Sequence, residues 1–183
     1  MNTPPGATPD LARLRGVVAP EILAAAEVAS HKLREAGIPH ALAGGLAVGA
    51  HGYPRTTDDV DFLVGDEAFI KHAGGLVTLK VPLIAVGKVR IDLVAIEPSP
   101  GETEQLRPAV ERPAYNELVP ILPLPALVYL KLKAGRQKDL ADLVELLKRG
   151  KIDVVGIDNY LERHAPQHRD KWERVKETAA KEE

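Results

Sequence analysis

Apolar residues recur with helical spacing in two regions of the chain. The first region begins at Pro20, a residue suited to a first helical turn, and runs to about Glu35 before a stop at Gly37. The second region follows Pro123, where leucine and valine residues keep a period near 3.6 residues. Because Gly135 interrupts the second region, we predict two helices that are joined there.

Short apolar runs in the first half of the chain predict β-strands, since glycine, proline or polar residues bound them. The predicted strands cover residues 40–43, 60–64, 76–79, 83–86 and 89–96. Gly87 and Lys88 separate the last two strands and predict a two-residue hairpin turn.

The segments between these strands are less regular. Residues 46–51 are rich in alanine and predict a short helix, and Asp66 suits the start of another helix of one or two turns that ends at His72. Residues 98–104 are rich in proline, glycine and acidic side chains, and these predict an exposed loop beside a site.

This order of elements predicts an α+β fold, in which a small mixed β-sheet has helices packed on it and a C-terminal helical segment follows. We expect residues 1–18 to be a flexible N-terminal tail and residues 151–183 to be a helical tail. Residues 19–150 would form one domain, with its core over 38–97 and its helical part over 123–149.

Composition narrows the range of functions only slightly. The 183 residues carry a net charge of −2, which gives no overall electrostatic reason to expect nucleic acid or a membrane as partner. The absence of cysteine excludes disulfides, thiolate zinc sites and a cysteine nucleophile. The N-terminus does not resemble a signal peptide, so we expect a cytoplasmic protein without a membrane partner.

Asp59 and Asp61 are the first candidates for chemistry. Alternate side chains of a strand point the same way, so the two carboxylates share one face while Val60 and Phe62 enter the core. Neighbouring carboxylates repel each other unless a cation lies between them, and Mg²⁺ commonly joins one or two carboxylates to substrate phosphates. Taken alone, the sequence Asp59-Val60-Asp61 is explained equally well by a strand that leads into a turn.

Asp92 offers a third carboxylate on the strand predicted at residues 89–96. A charge among apolar residues is costly unless it is paired or binds an ion, and phosphoryl transfer with two metal ions needs several carboxylates. Arg90 shares the face of Asp92, so an ion pair between them is the alternative explanation.

Gly44 and Gly45 lie between a predicted strand and a predicted helix. Glycine lets the backbone approach a ligand, and N–H groups at the start of a helix favour phosphate. An ordinary tight turn is the alternative. Arg55 and Thr57 come just before the carboxylates, where they would contact a triphosphate or steady the loop.

The helical region carries a basic run at Lys131, Lys133, Arg136 and Lys138, and a second basic cluster at Lys148, Arg149 and Lys151. Basic residues opposite a leucine stripe are typical of any amphipathic surface helix. Asp139 and Asp142 have the spacing of salt-bridge partners on a helix surface.

Taken together, these residues resemble the nucleotidyltransferase superfamily related to DNA polymerase beta. The resemblance rests on Gly-Gly, a short helix, the pattern His-Gly-x-x-Arg-x-Thr-x-Asp-h-Asp ending at Asp61, and the later strand residue Asp92. The helix with Lys131, followed by the Lys-Asp-x-x-Asp pattern ending at Asp142, resembles the abortive-infection type IV toxin-like branch. The resemblance covers about residues 38–148.

The resemblance implies a role for each motif. Gly44 and Gly45 would hold nucleotide phosphates, and Asp59, Asp61 and Asp92 would bind Mg²⁺ or Mn²⁺. Asp92 would also help to deprotonate an acceptor hydroxyl. Lys131 would meet phosphate, and Asp139 or Asp142 would orient that lysine or the base. Many members carry Gly-Ser where this chain has Gly-Gly, so a hydroxyl contact to phosphate is missing.

Three functions follow from these observations. The first is an enzyme that transfers a nucleoside monophosphate from a nucleoside triphosphate to an acceptor hydroxyl. Transfer RNA or another RNA would be the acceptor, with a protein hydroxyl as the alternative, and the toxin-like resemblance adds a cognate antitoxin as a partner. The second is a catalytically weak module that binds a nucleotide or a partner protein. The third is a structural protein whose acidic residues are only solvated.

Overall fold

The computed structural model describes residues 8–114, 118–149 and 152–182. Its α-helices are α1 (Pro20–Glu35), α2 (Gly44–Ala50), α3 (Pro100–Glu111), α4 (Leu124–Ala134), α5 (Gln137–Arg149), α6 (Val154–His164) and α7 (Arg169–Lys181). Its strands are β1 (His40–Leu42), β2 (Asp59–Val64), β3 (Phe69–Lys71), β4 (Val77–Leu79), β5 (Ala85–Val86) and β6 (Val89–Ala95).

A mixed sheet with the strand order β1-β2-β6-β5 forms the centre of the molecule. The pairing of β2 with β6 is parallel, whereas β1 with β2 and β5 with β6 are antiparallel. Strands β3 and β4 form a separate antiparallel pair. The predicted α+β class, with a small mixed sheet, helices packed on it and further helices at the C-terminal end, is confirmed.

The sheet is covered by helices, which explains why its central strand is apolar. Val60, Phe62, Leu63 and Val64 of β2 are all buried, with α1 packed against β1, β2 and β6 and α2 packed against β2. At the C-terminal end, α6 packs on α4 and α7 packs on α5. Among the described residues, no helix combines the length and the apolar character that a membrane crossing requires.

The N-terminal segment is packed wherever it is described. A 3₁₀-helix over Leu11–Leu14 lies against α2, where Leu14 is completely buried, and the Asp10 N–H donates to the Ala50 carbonyl at 2.9 Å. Residues 1–7 of the predicted flexible tail lie outside the described residues. Apolar burial therefore packs residues 11–18 against the domain, whereas the sequence predicted that they belong to a flexible tail.

The helix predicted from Asp66 to His72 is wrong. Only Asp66–Ala68 is helical, as a 3₁₀ turn, and the backbone becomes extended at Phe69. The reason is tertiary, because β3 pairs with β4 in a register that joins Phe69 to Leu79. Strand pairing has overridden the local helix signal.

The loop predicted over residues 98–104 is also wrong, because α3 begins at Pro100. Ser99 caps this helix by accepting a hydrogen bond from the Glu102 N–H at 3.3 Å, and Pro100 occupies its first turn. The Ser-x-x-Glu pattern is a helix-start signature that the composition of the segment obscured.

The predicted break at Gly135 is confirmed. Gly135 adopts the left-handed conformation with φ of 62°, and its N–H donates to the Lys131 carbonyl at 2.8 Å, which ends α4. The predicted hairpin at Gly87 and Lys88 is also confirmed, since Val86 and Val89 are partners on either side of it. Helix α2 begins at Gly44, two residues before its predicted start.

Candidate functional site

Three carboxylates meet where β2 and β6 run side by side. The parallel register pairs Asp61 with Asp92 and Asp59 with Arg90. Asp59, Asp61 and Asp92 each offer an oxygen, and these oxygens all lie within 4.8 Å of one another. The strands that carry them are direct neighbours, and the three acidic residues are close enough to hold a metal ion.

Two neighbouring side chains hold the outer carboxylates. The Thr57 hydroxyl donates to Asp59 Oδ1 at 2.9 Å, so Thr57 fixes the loop and the carboxylate together. Arg90 Nη2 lies 2.9 Å from Asp59 Oδ2 and also 2.9 Å from Asp92 Oδ2. Asp92 therefore pairs with Arg90, as the alternative explanation predicted, and also belongs to an acidic cluster that could hold a metal ion. Its role as a metal ligand stays a prediction.

The environment of Asp61 disfavours its charged form. Burial raises the pKa of the Asp61 carboxyl to about 6, and repulsion from Asp59 and Asp92 adds to this rise. The positive charges of Lys131 and Arg90 lower the same pKa, but they offset the rise only in part. A cation bound between the three carboxylates would offset this repulsion.

The two glycines fit tightly against this cluster. Gly44 has φ of 57°, and a Cβ added there would overlap the Asp61 carboxylate. A Cβ added at Gly45 would lie 3.0 Å from Thr57 Oγ1. Glycine at position 44 therefore allows the backbone to pass directly beside Asp61.

Lys131 belongs to a second, buried group of charges. Its side chain donates to Asp139 Oδ1 at 3.0 Å and to Asp142 Oδ2 at 2.7 Å, and the residue is only 6% exposed. The alternative in which Lys131 lies on a solvated helix surface is wrong, because α4 is buried on several sides.

Two arginines complete the second group. Arg55 donates to both oxygens of Asp142, from Nε at 2.6 Å and from Nη2 at 2.8 Å, and Arg136 Nε donates to Asp139 Oδ2 at 2.6 Å. Burial raises the pKa of Asp139 and Asp142, yet hydrogen bonds from the arginines and Lys131 outweigh it and lower both pKa values. Arg55 thus ties its loop to α5.

A cavity of about 390 Å³ adjoins the carboxylates. Charged side chains of the acidic cluster and of the group around Lys131 line it. Apolar residues of β6 and α4 and the acidic residues Glu97 and Glu102 complete the lining. Its lining includes Gly44, Asp61, Val94, Glu97, Glu102, Leu127, Leu130, Lys131, Lys133, Arg136 and Asp139. This size lies within the usual range of small-molecule sites.

Most of the predicted basic surface is paired with carboxylates. Lys133 Nζ lies 2.9 Å from Glu97 Oε1 and 2.7 Å from Glu102 Oε2. In the second cluster, Lys148 and Arg149 both contact Glu145, while Lys151 lies outside the described residues. These ion pairs reduce the positive charge available to a polyanion.

Glu102 lines the cavity, although it was not among the site residues predicted from the sequence. Its carboxylate is buried and accepts from Lys133 and, at 3.4 Å, from the Tyr129 hydroxyl. The signal was present, since Glu102 is the last residue of the helix-start pattern that begins at Ser99. Arg90 was considered only as a partner of Asp92, although it also contacts Asp59.

No family model and no curated protein matches this chain. Among solved structures, the chain is similar to an antigenic nucleotidyltransferase-like protein from Paracoccidioides brasiliensis, with 17% sequence identity and a TM-score of 0.41. The match covers 72% of this chain and 76% of that chain. A likeness this distant carries no information on activity, so function must be inferred from the geometry of the site itself.

Proposed function

We propose that this protein is a metal-dependent nucleotidyltransferase. It would transfer a nucleoside monophosphate from a nucleoside triphosphate to an acceptor hydroxyl and release pyrophosphate. The observation that carries the proposal is the convergence of the Asp59, Asp61 and Asp92 oxygens within 4.8 Å, beside a cavity of about 390 Å³ that Asp61 also lines.

The residues present fit a hard divalent ion such as Mg²⁺ or Mn²⁺. All three candidate ligands are carboxylates, the ligand type that these ions prefer, and burial together with repulsion from Asp59 and Asp92 raises the pKa of Asp61. Asp59, Asp61 and Asp92 would hold the ion, which would neutralise charge on the phosphates when bound.

The acceptor hydroxyl would attack the α-phosphorus. A new oxygen–phosphorus bond forms, the bond to the bridging oxygen of pyrophosphate breaks, and pyrophosphate leaves with the electron pair. Asp92 would accept the proton of the hydroxyl, because its side chain is 40% exposed and an acceptor can reach it from solvent.

Lys131 would stabilise the phosphates, because it lines the same cavity as Asp61. An ammonium group has three protons, and Asp139 and Asp142 accept two of them. The third proton is available for a phosphate oxygen in the cavity that Lys131 lines. The two aspartates would thus orient the lysine, as the resemblance implies.

The nucleoside would lie against the apolar part of the cavity. Val94, Leu127 and Leu130 supply surfaces that suit the face of a base, while Glu102 and Lys133 supply polar groups for its edge. Cavities with mostly apolar walls and a few polar groups are typical of small-molecule sites.

Calorimetric titration of each of the four nucleoside triphosphates, with and without Mg²⁺, tests the proposal. We expect Mg²⁺-dependent binding that Asp61→Asn abolishes, with Asp66→Asn as a matched control because Asp66 is exposed outside the cluster. Pyrophosphate release must accompany binding. Metal-dependent binding without any turnover would favour the nucleotide-binding module, and no binding would contradict both functions.

RNA is the acceptor we propose, with transfer RNA first, because the toxin-like resemblance implies it. Incubation of the protein with α-³²P-labelled triphosphates and total RNA should give labelled RNA. The ion pairs of Lys133 and Lys148 predict weak RNA binding that is lost as the salt concentration rises. Label that appears only on the protein itself or on a copurifying antitoxin would contradict an RNA acceptor.

A further inference from the structure

Arg90 occupies the space between two of the three carboxylates. A single guanidinium nitrogen, Nη2, lies 2.9 Å from Asp59 Oδ2 and 2.9 Å from Asp92 Oδ2. The other oxygen of Asp59 already accepts from Thr57. An ion that binds Asp59 and Asp92 through these Oδ2 atoms would therefore compete with Arg90 for them.

The contact with Arg90 and the binding of a divalent ion are electrostatically opposed. Mg²⁺ binds oxygen at about 2.0–2.1 Å, so it would lie close to the position of the guanidinium nitrogen, and two cations repel each other at that distance. The three aspartates carry a charge of −3, which Arg90 reduces to −2 in the metal-free protein. Arg90 is thus a built-in counter-ion of the cluster.

The Arg90 side chain is more exposed than the carboxylates of Asp59 and Asp92. Its side chain is 65% exposed, and within the described residues its ion pairs are the two with Asp59 and Asp92. Asp59, Asp61 and Asp92 are held by the parallel ladder of β2 and β6. An exposed ion pair contributes little stability, so releasing the guanidinium costs little.

We propose that Arg90 exchanges its two carboxylates for the triphosphate when a metal ion binds, and so couples metal binding to nucleotide binding. This inference rests on the proposed function. A guanidinium is suited to phosphate because its donors match two phosphate oxygens at once. Without nucleotide, Arg90 opposes the ion; with nucleotide, the released guanidinium gains a new partner.

The coupling has a thermodynamic signature. If nucleotide offers Arg90 a new acceptor, nucleotide increases metal affinity, and the ion increases nucleotide affinity by the same factor. Replacing Arg90 by a neutral residue should strengthen metal binding in the absence of nucleotide and reduce this mutual enhancement. A residue that merely supported the fold would not change the two quantities in opposite directions.

Titration of Mn²⁺ followed by the electron paramagnetic resonance signal of the free ion measures both quantities. It would be run alone and with an α,β-methylene triphosphate, which cannot be turned over. For Arg90→Gln we expect metal-only affinity to rise on the order of 10-fold, within the range usual for coupled sites, and the enhancement by nucleotide to fall by a similar factor. Arg90→Lys, which keeps the charge, should restore most of the opposition to the metal.

Lys88→Gln is the matched control, because Lys88 is an exposed cation two residues away in the hairpin turn before β6. It removes the same charge from the same region without touching Asp59 or Asp92. Circular dichroism checks that each variant is folded.

The outcomes separate this inference from the proposed function. If the unchanged protein binds Mn²⁺ and nucleotide, but Arg90→Gln behaves like Lys88→Gln, only the exchange of Arg90 is wrong. If Mn²⁺ binds to Arg90→Gln without nucleotide but to the unchanged protein only with nucleotide, the exchange is supported. If neither protein binds Mn²⁺ with or without nucleotide, the proposed function is wrong and the exchange falls with it.

Discussion

Asp61 and Asp92 are direct partners across the parallel pairing of β2 with β6. Side chains at paired positions of neighbouring strands lie on the same face, so the register itself brings these two carboxylates together. A shift of one residue would turn one carboxylate to the opposite face and carry the apolar set of its strand out of the core. The burial of Val60 and Phe62 therefore also fixes the acidic cluster.

The raised pKa of Asp61 predicts how its replacement affects stability. The folded protein has a pKa of about 6 at this carboxyl, above the ordinary value of about 3.9. Between these values the folded state holds the proton more tightly than the unfolded state, so rising pH destabilises the fold. Asp61→Asn removes this penalty and should stabilise the metal-free protein at pH 7, but not at pH 4.

The rise in pKa by about 2 corresponds to about 3 kcal/mol, of which we expect about half because solvent reaches part of the site. Urea unfolding in EDTA at pH values from 4 to 7 measures the difference between the two proteins. Asp66→Asn should show no such pH dependence. A constant or negative stability difference for Asp61→Asn would show that Asp61 has a structural role.

Neutral replacement of Lys131 should have the opposite effect. In Lys131→Met the buried Asp139 and Asp142 lose their shared cation, although Arg136 and Arg55 remain. Removing one member of a buried ion group leaves uncompensated charge, and we expect the free energy of unfolding to fall by about 2–3 kcal/mol at pH 7.

Lys138→Met is the control, because Lys138 is exposed at the start of α5. Thermal and urea unfolding of both variants give the comparison. The loss in Lys131→Met should diminish at low pH, where protonation of the two aspartates removes the uncompensated charge. Equal effects of the two substitutions would contradict the buried network.

The sequence was sufficient for the elements whose local signals agree with their packing. Pro20 and Gly135 marked the start of α1 and the end of α4 because proline suits a first turn and glycine tolerates a positive φ. The segment after Asp66 was mispredicted because β3 depends on pairing with β4, which no local pattern encodes.

Sequence patterns selected the residues of the acidic cluster, whose roles stay predictions, but not the contacts between side chains that are distant along the chain. Alternation along β2 predicted that Asp59 and Asp61 share one face, and the structure adds Asp92 beside them through the pairing with β6. The bonds from Arg55 to Asp142 join residues 87 positions apart, so sequence spacing could not indicate that Arg55 ties its loop to α5.

A methyl group at Gly44 should damage the site more than one at Gly45. Gly44→Ala would require a left-handed conformation at a residue with a side chain and would drive its Cβ into the Asp61 carboxylate. Gly45→Ala meets Thr57 Oγ1 at 3.0 Å, which a small side-chain movement can relieve. We expect Gly44→Ala to lower stability by about 1–3 kcal/mol and to abolish Mn²⁺ binding.

Urea unfolding and Mn²⁺ titration of both glycine variants check this contrast. Gly45→Ala should retain Mn²⁺ binding within a few-fold of the unchanged protein. If Gly44→Ala keeps both stability and metal binding, the close approach of its backbone to Asp61 has no role in the site.

Filling the cavity should separate nucleotide binding from metal binding. Val94 lines the cavity and is 42% exposed, so Val94→Trp can place a large side chain in the space without disrupting the core. We expect nucleotide affinity to fall by at least about 10-fold, a loss of about 1.4 kcal/mol, because the indole occupies the surface that the base would contact.

Val28→Trp is the matched control, since Val28 is also 42% exposed but lies on α1, outside the cavity lining. Mn²⁺ binding without nucleotide should stay unchanged in both variants, because Asp59, Asp61 and Asp92 are untouched. Calorimetry gives the nucleotide affinities, and equal affinities for the two tryptophan variants would mean that the nucleoside binds elsewhere.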